Sequence, residues 1–308
     1  MVRKYTDDTT LAIGDGANDV AMIQAAHIGV GISGQEGRQA VMASDFAIAQ
    51  FRFLRDLIIV HGHWAYYRLS NFIFYFLYKN ALFVMILFWY QIYCAFSNQT
   101  PVTDINLILY GLIYTNLPII IFCIFDRDIP RKVLVANPWL HEIGMSDSLF
   151  SLKAFGLYMA DMLYQSVIIT FFPIYSYWVV DPTALYFLGT PITLACIWGA
   201  TFHLFMDTNS WTWLHHAGYW LSLLGYLPIS IIFESSAGTI SSGETVFGLS
   251  TPIFYFVCLL TIVLALLPRF TIMSYRALFH PSLTVQAREV ACLERRARRR
   301  ANVSTVLP

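Results

Sequence analysis

Six long apolar segments constrain this chain more than any other feature. They occupy residues 69–96, 105–125, 155–179, 185–205, 211–233 and 252–273. Each reaches the roughly 20 residues a helix needs to cross a bilayer. Lipid offers the backbone no hydrogen-bond partners, so a spanning segment is either a helix or one strand of a closed barrel. These runs lack the strict alternation of a barrel strand, so they read as six transmembrane helices. Composition agrees, with 57% hydrophobic, 16% aromatic and 12% charged residues, where a soluble domain carries about 25% charged. A formal net charge of +0 says nothing about partners. Of the five cysteines, Cys94, Cys123, Cys196 and Cys258 lie inside apolar runs, Cys292 lies beyond them, and none forms a CxxC pair. They read as free thiols rather than a disulfide framework or a metal site.

Charge distribution orients the spans. Six is even, so both flanks of the membrane region lie on one side. Arg52, Arg55 and Arg68 precede the first span, and Arg127, Arg131, Lys132 and Lys153 lie between the second and third. Arg269, Arg276 and the RRARRR run at 295–300 mark the end of the sixth. The loops at 97–104, 180–184 and 234–251 contain no Lys or Arg. The positive-inside rule then predicts that both ends are cytosolic. Beside a membrane the arginine run reads as a solvated or anionic-lipid-facing tail, not as a nucleic-acid site.

The first fifty residues read differently. Leu11 to Ile13 forms a short strand, residues 20–26 have helical character, and residues 28–32 form a second strand. A glycine turn with Gly34 and Gly37 leads to a short helix near Val41 and a third strand at 46–49. This alternation predicts parallel α/β structure, too small to close a sheet alone and so the last piece of a larger domain. Residues 51–68 mix Arg52, Arg55, Asp56 and Arg68 with Phe51, Leu54, Leu57, Ile58 and Trp64, as an amphipathic stalk helix would. The expected organisation is an α/β piece at 1–50, a stalk at 51–68, six spans within 69–276 and a basic tail at 277–308. The fold class is therefore mixed.

The strongest chemical motif is Gly14-Asp15-Gly16-Ala17-Asn18-Asp19, directly after a strand. Phosphoryl transfer needs a hard cation to neutralise developing charge, and such a cation takes carboxylate oxygens. Asp15 at the strand end and Asp19 at the start of the next helix can converge on one site. Gly14 and Gly16 permit a tight turn and close approach of phosphate. Asn18 can donate to a phosphoryl oxygen without adding negative charge. A plain turn with an N-cap aspartate is the bland alternative.

The stretch GDGANDVAMIQAAHIGVGISGQEG resembles the hinge motif of P-type ATPases, in the form typical of their phospholipid flippases. VHGHWAYYRL (60–69), YFLYKN (75–80), LFWYQ (87–91), YTNLP (114–118), FDRDIP (125–130) and YQSVI (164–168) continue the resemblance, which covers nearly the whole chain up to the sixth span. It implies the C-terminal piece of an α/β, haloacid-dehalogenase-like phosphorylation domain followed by an all-α six-helix transmembrane bundle. It implies an ATP-driven, Mg²⁺-dependent flippase moving phospholipid from the exoplasmic to the cytosolic leaflet. Asp15 and Asp19 would hold Mg²⁺, and Asn18 and Asp19 would lie at the transferred phosphate of ATP. Many such flippases use an accessory two-span glycoprotein subunit, a possible partner here. The family's phosphorylated aspartate lies in a DKTGT motif that this sequence lacks. The chain is thus expected to be a fragment, inactive alone and without its own catalytic aspartate. The family often has Asn at the position of Gly111 and Ser at that of Asn116.

Lys79 and Asn80 sit near the middle of the first span. A charge there costs at least about 2.5–3.5 kcal/mol, so it faces protein or a watery cavity. Two roles are open to Lys79: a structural pairing inside the bundle, with Asp161 as the candidate partner, or contact with a lipid headgroup. In the second span Asn116 adds a polar group, and Pro118 leaves the carbonyl one turn earlier without its usual donor. A metal site at His61 and His63 is not expected, and His203, His215 and His216 read as ordinary packing residues. Two further functions stay in play. A cation-pumping P-type ATPase shares the GDGxND turn, but the first two spans lack acidic ligands. A non-catalytic, pump-derived membrane protein would fit the missing DKTGT.

Overall fold

The computed structural model describes Tyr5 and residues 8–34, 38–145, 149–178, 185–235 and 243–293. The expectations for Gly37, the 180–184 loop and the arginine run at 295–300 fall outside these residues. The chain divides into two compact units, Met1–Trp64 with Leu134–His141, and Ala65–Val133 with Glu142–Pro308.

In the first unit, β1 (Leu11–Gly14), β2 (Ile28–Ile32) and β3 (Phe46–Ile48) form a parallel sheet in the order β1-β2-β3. Leu11 pairs with Ile28 and Val30 with Phe46. The helices α1 (Val20–Ala25) and α2 (Gln39–Ala43) make the crossovers that parallel strands require. The IGVGI sequence of β2 explains how closely they pack. A Cβ on Gly29 would fall 2.5 Å from Ile23 Cγ2, and one on Gly31 would fall 2.8 Å from Val41 Cα. Val30, Ile23 and Ala40 are the buried centre of this layer.

Six helices among the described residues are long and apolar enough to cross a membrane. They are α3 (Phe51–Tyr93), α4 (Asp104–Phe125), α5 (Leu152–Trp178), α6 (Leu185–Asp207), α7 (Trp213–Glu234) and α9 (Pro252–Phe279). A seven-residue helix, α8 (Glu244–Ser250), lies within what the sequence reads as a loop. The segment 51–68, read as a stalk helix leading into the bilayer, is helical and continues into the first span. Helix runs without a break from Phe51 to Tyr93, through a π-helical stretch at Leu57–Gly62. Short helices also occupy Arg131–Ala136 and Glu142–Met145, and residues 283–293 are helical.

In the second unit α6 is the central helix, with 78% of its most apolar stretch buried against 33–39% for the other spans. Lipid is as apolar as leucine, so spans associate through close packing and hydrogen bonds rather than a hydrophobic drive. Tyrosines supply much of this glue. Tyr75 donates to the Ala200 carbonyl (3.1 Å), Tyr110 to the Lys79 carbonyl (2.9 Å), and Tyr78 to Gln165 Oε1. Tyr219 and Thr208 share a hydroxyl hydrogen bond of 2.6 Å.

Candidate functional site

The Gly14–Asp19 turn lies at the carboxyl end of β1, where ligands bind in open α/β sheets. Residues 17–19 form one 3₁₀ turn that leads into α1. The Asp19 carboxylate folds back over the strand end, and its Oδ2 accepts the backbone N–H groups of Asp15 (3.2 Å) and Gly16 (3.4 Å). A Cβ on Gly14 would fall 2.3 Å from Asp19 Cβ, so only glycine admits this clasp. Asp15 and Asn18 are exposed and Asp19 is half-buried. The structure thus brings Asp15, Asn18 and Asp19 into one turn. Among the described residues no group of three or more His, Cys, Asp or Glu side chains could cage a metal. Two carboxylates on an open turn suit Mg²⁺, which is usually bound through one or two carboxylates plus substrate phosphates and water.

The second predicted site lies between α3 and α4, and a kink in α4 creates it. Residues Tyr110–Tyr114 form a π-helical turn, closed by the Thr115 N–H donating to the Tyr110 carbonyl at 3.2 Å. Pro118 has no N–H to offer the Tyr114 carbonyl, and the Ser222 hydroxyl of α7 donates there instead. The Thr115 hydroxyl also donates to the Tyr110 carbonyl, at 2.7 Å. Lys79 is 1% exposed. Its Nζ donates to Thr115 Oγ1 at 2.9 Å and to Asn116 Oδ1, and stands 5.4 Å from the centroid of the Phe76 ring. Among the described residues no carboxylate lies within ion-pair distance of this ammonium. Asn80 is half-buried beside Lys79.

Two expectations need correction. Lys79 does not pair with Asp161. Asp161 Oδ2 instead takes Arg269 Nη1 at 3.2 Å, while Arg269 Nη2 holds both carboxylate oxygens of Asp207 at 2.8 and 2.9 Å. Arg269 is also no flanking charge. It lies inside α9 with a side chain only 13% exposed. Counting positive residues near a span end cannot distinguish a charge in water from one turned into the bundle. His203, read as a packing residue, is fully buried against Tyr78 and next to these carboxylates. Sequence reasoning missed Thr115 and Ser222. The only available signal was Pro118, which marks a carbonyl in need of a donor but not the donor itself.

At the end of α4, Asp126 accepts the backbone N–H groups of Asn209 (3.0 Å) and Ser210 (2.7 Å) and ties the turn between α6 and α7. Burial pushes its carboxyl above the usual carboxylate range, against the lowering effect of the Ser210, Asn209 and Arg127 backbones and of His215.

Comparison with known proteins fits this architecture. The family described as "Phospholipid-translocating P-type ATPase C-terminal" matches residues 41–282, and "haloacid dehalogenase-like hydrolase" matches residues 2–43. Human phospholipid-transporting ATPase VA is 41% identical over 296 residues, covering 94% of this chain and 20% of its own length. Phospholipid-transporting ATPase 1 of Arabidopsis thaliana is 43% identical over 292 residues, 94% of this chain and 25% of that protein. Phospholipid-transporting ATPase DNF2 of Saccharomyces cerevisiae is 40% identical over 293 residues, 91% and 18%. The chain therefore spans about a fifth to a quarter of the length of these curated relatives. Through a match that takes in all six spans, the chain belongs to the phospholipid-translocating P-type ATPase family.

Proposed function

We propose that this chain forms the hinge turn and six of the spans of an ATP-driven pump that moves phospholipid from the exoplasmic to the cytosolic leaflet. The observation that carries the lipid assignment is the Lys79 site, a buried ammonium held by neutral oxygens with no carboxylate beside it among the described residues. A transported cation would be repelled there, whereas a headgroup phosphate would supply the missing negative charge. Asn116 joins Lys79 in this role, and Asn80 flanks it. The acyl tails would stay in lipid while the headgroup passes the α3–α4 face.

On the cytosolic side Asp15 and Asp19 would hold Mg²⁺, with Asn18 and Asp19 at the phosphate of ATP. Bound there, Mg²⁺ would neutralise charge on the transferred phosphoryl group. The chain's own part is to hold two carboxylates open at the sheet edge, a geometry Gly14 permits. The absence of positive residues from the 97–104, 180–184 and 234–251 loops supports cytosolic ends. A two-span glycoprotein partner is part of the proposal on family resemblance alone. Lacking a DKTGT aspartate, residues 1–308 by themselves form no acyl-phosphate.

Lipid-stimulated ATPase activity of the full-length pump tests the reading. Lys79→Ala should weaken lipid stimulation far more than it lowers thermal stability. A variant that loses folding while keeping its lipid response per folded molecule would show Lys79 to be structural, and the assignment would fail.

A further inference from the structure

The bundle contains a second buried charge cluster that the lipid reading does not use. It joins Asp161 of α5, His203 and Asp207 of α6, and Arg269 of α9. His203 is 0% exposed, and neither of its ring nitrogens makes a hydrogen bond. Both nevertheless face carboxylates, with Nδ1 3.6 Å from Asp161 Oδ2 and Nε2 3.9 Å from Asp207 Oδ2. The ring is held against Tyr78, with centroids 4.0 Å apart. Arg269 bonds to both carboxylates.

The charge count does not close. Two carboxylates and one guanidinium leave a net negative charge when the imidazole is neutral. An uncompensated buried charge is strongly unfavourable in a membrane interior. One added proton, on the imidazole or on the carboxyl next to it, makes the cluster neutral.

The surrounding groups do not supply that charge. Tyr75 and Tyr78 face His203 from α3, Tyr158 and Gln165 approach from α5, and Tyr219 of α7 is engaged with Thr208; all are neutral near pH 7. Arg276 of α9 is exposed, so solvent screens it, and Arg288 donates to Asn209 Oδ1 rather than to either carboxylate. A cavity of about 460 Å³ lined by Tyr158, Asp161, Asp207, Arg269 and Arg276 gives water a route to the carboxylates.

We propose that Asp161, His203, Asp207 and Arg269 form a proton-binding site that holds one exchangeable proton, shared between His203 and Asp161. Such a pair titrates as a unit rather than as two independent residues. The site would make the bundle sensitive to pH, independently of any lipid at Lys79.

The test measures protons released per chain when the full-length protein, in lipid nanodiscs without ATP, is taken from about pH 5 to about pH 9. Wild type should release one more proton per chain than Asp161→Asn. Asp161→Glu, which keeps the charge, should restore that release. Independently, His203→Gln should move the midpoint of the step, followed in the infrared carboxyl and imidazole bands. Equal release by wild type and a folded Asp161→Asn would overturn the proposal. So would a His203→Gln titration that superimposes on wild type, which decides the matter even if Asp161→Asn does not fold. Because no lipid transport is measured, failure here leaves the lipid reading untouched, and failure at Lys79 leaves this site untouched.

Discussion

Replacing Arg269 by methionine tests whether the α5–α6–α9 contact depends on buried charge. The side chain keeps roughly its length but loses four hydrogen bonds, at 3.2 Å to Asp161, at 2.8 and 2.9 Å to Asp207 and at 3.5 Å to the Tyr158 hydroxyl. The two carboxylates are only 16% and 13% exposed, so solvent replaces little of what is lost. Removing one partner of a buried ion pair typically costs about 3–5 kcal/mol. Gln165 still donates to Asp161 (3.0 Å) and Tyr158 to Asp207 (3.3 Å), which favours the lower half of that range. At roughly 2–4 °C lost per kcal/mol, the midpoint should fall by about 6–16 °C. The assay is thermal unfolding of the full-length protein in lipid nanodiscs. The double variant Arg269→Met/Asp207→Asn removes one orphaned charge and should recover more than half of the loss. Arg269→Lys should fall in between, since one ammonium nitrogen cannot serve both Asp161 and Asp207 as the two guanidinium nitrogens do. A shift under about 1 kcal/mol for Arg269→Met, or no recovery in the double variant, would refute the reasoning.

Other expectations follow from the same geometry. In the full-length pump Asp15→Asn should abolish Mg²⁺-dependent ATP turnover with expression intact, and normal turnover would sink the Mg²⁺ assignment. Ser222→Ala leaves the buried Tyr114 carbonyl without its donor and should cost about 1–3 kcal/mol of stability. A loss below about 0.5 kcal/mol in a thermal melt would mean that water or another hydroxyl takes over. Protease protection with one tag at Pro308 and one at residues 236–250 should leave only the first exposed on the cytosolic side. The reverse pattern would contradict the charge argument for orientation.

Much of the backbone was legible because local rules fix it. The β1–α1–β2–α2–β3 alternation follows from short apolar runs punctuated by glycine, and the six spans follow from length and hydropathy. Boundaries were less legible. Nothing between residues 51 and 93 breaks a helix strongly, so the change from charged to apolar sequence at residue 69 marks a change of surroundings, not of structure. The helices at Arg131–Ala136 and Glu244–Ser250 are too short for a periodicity to stand out. Side-chain partners were the least legible. Lys79, Asp161 and Arg269 were all visible as charges near or within spans. Which of them meet depends on how each helix is rotated, and sequence spacing does not carry that information across helices.

The π turn in α4 shows why this information is lost. At about 3.6 residues per turn, one extra residue advances the helical phase by roughly 100°. The faces of Asp104–Leu109 and Asn116–Phe125 therefore do not continue one another, and a hydrophobic periodicity read through residues 110–114 assigns one of them wrongly. Gly111 lies within that turn, and a Cβ placed on it meets nothing within 4 Å. The space beside it is open rather than tightly packed, so close packing does not explain the glycine. The polar contacts to Lys79 come instead from Thr115 and Asn116, past the phase shift. Tyr110 returns its own hydroxyl to the Lys79 carbonyl at 2.9 Å, so the turn grips both ends of the lysine. A conformational change that unwound the π turn would rotate Thr115 and Asn116 away and leave the ammonium without ligands.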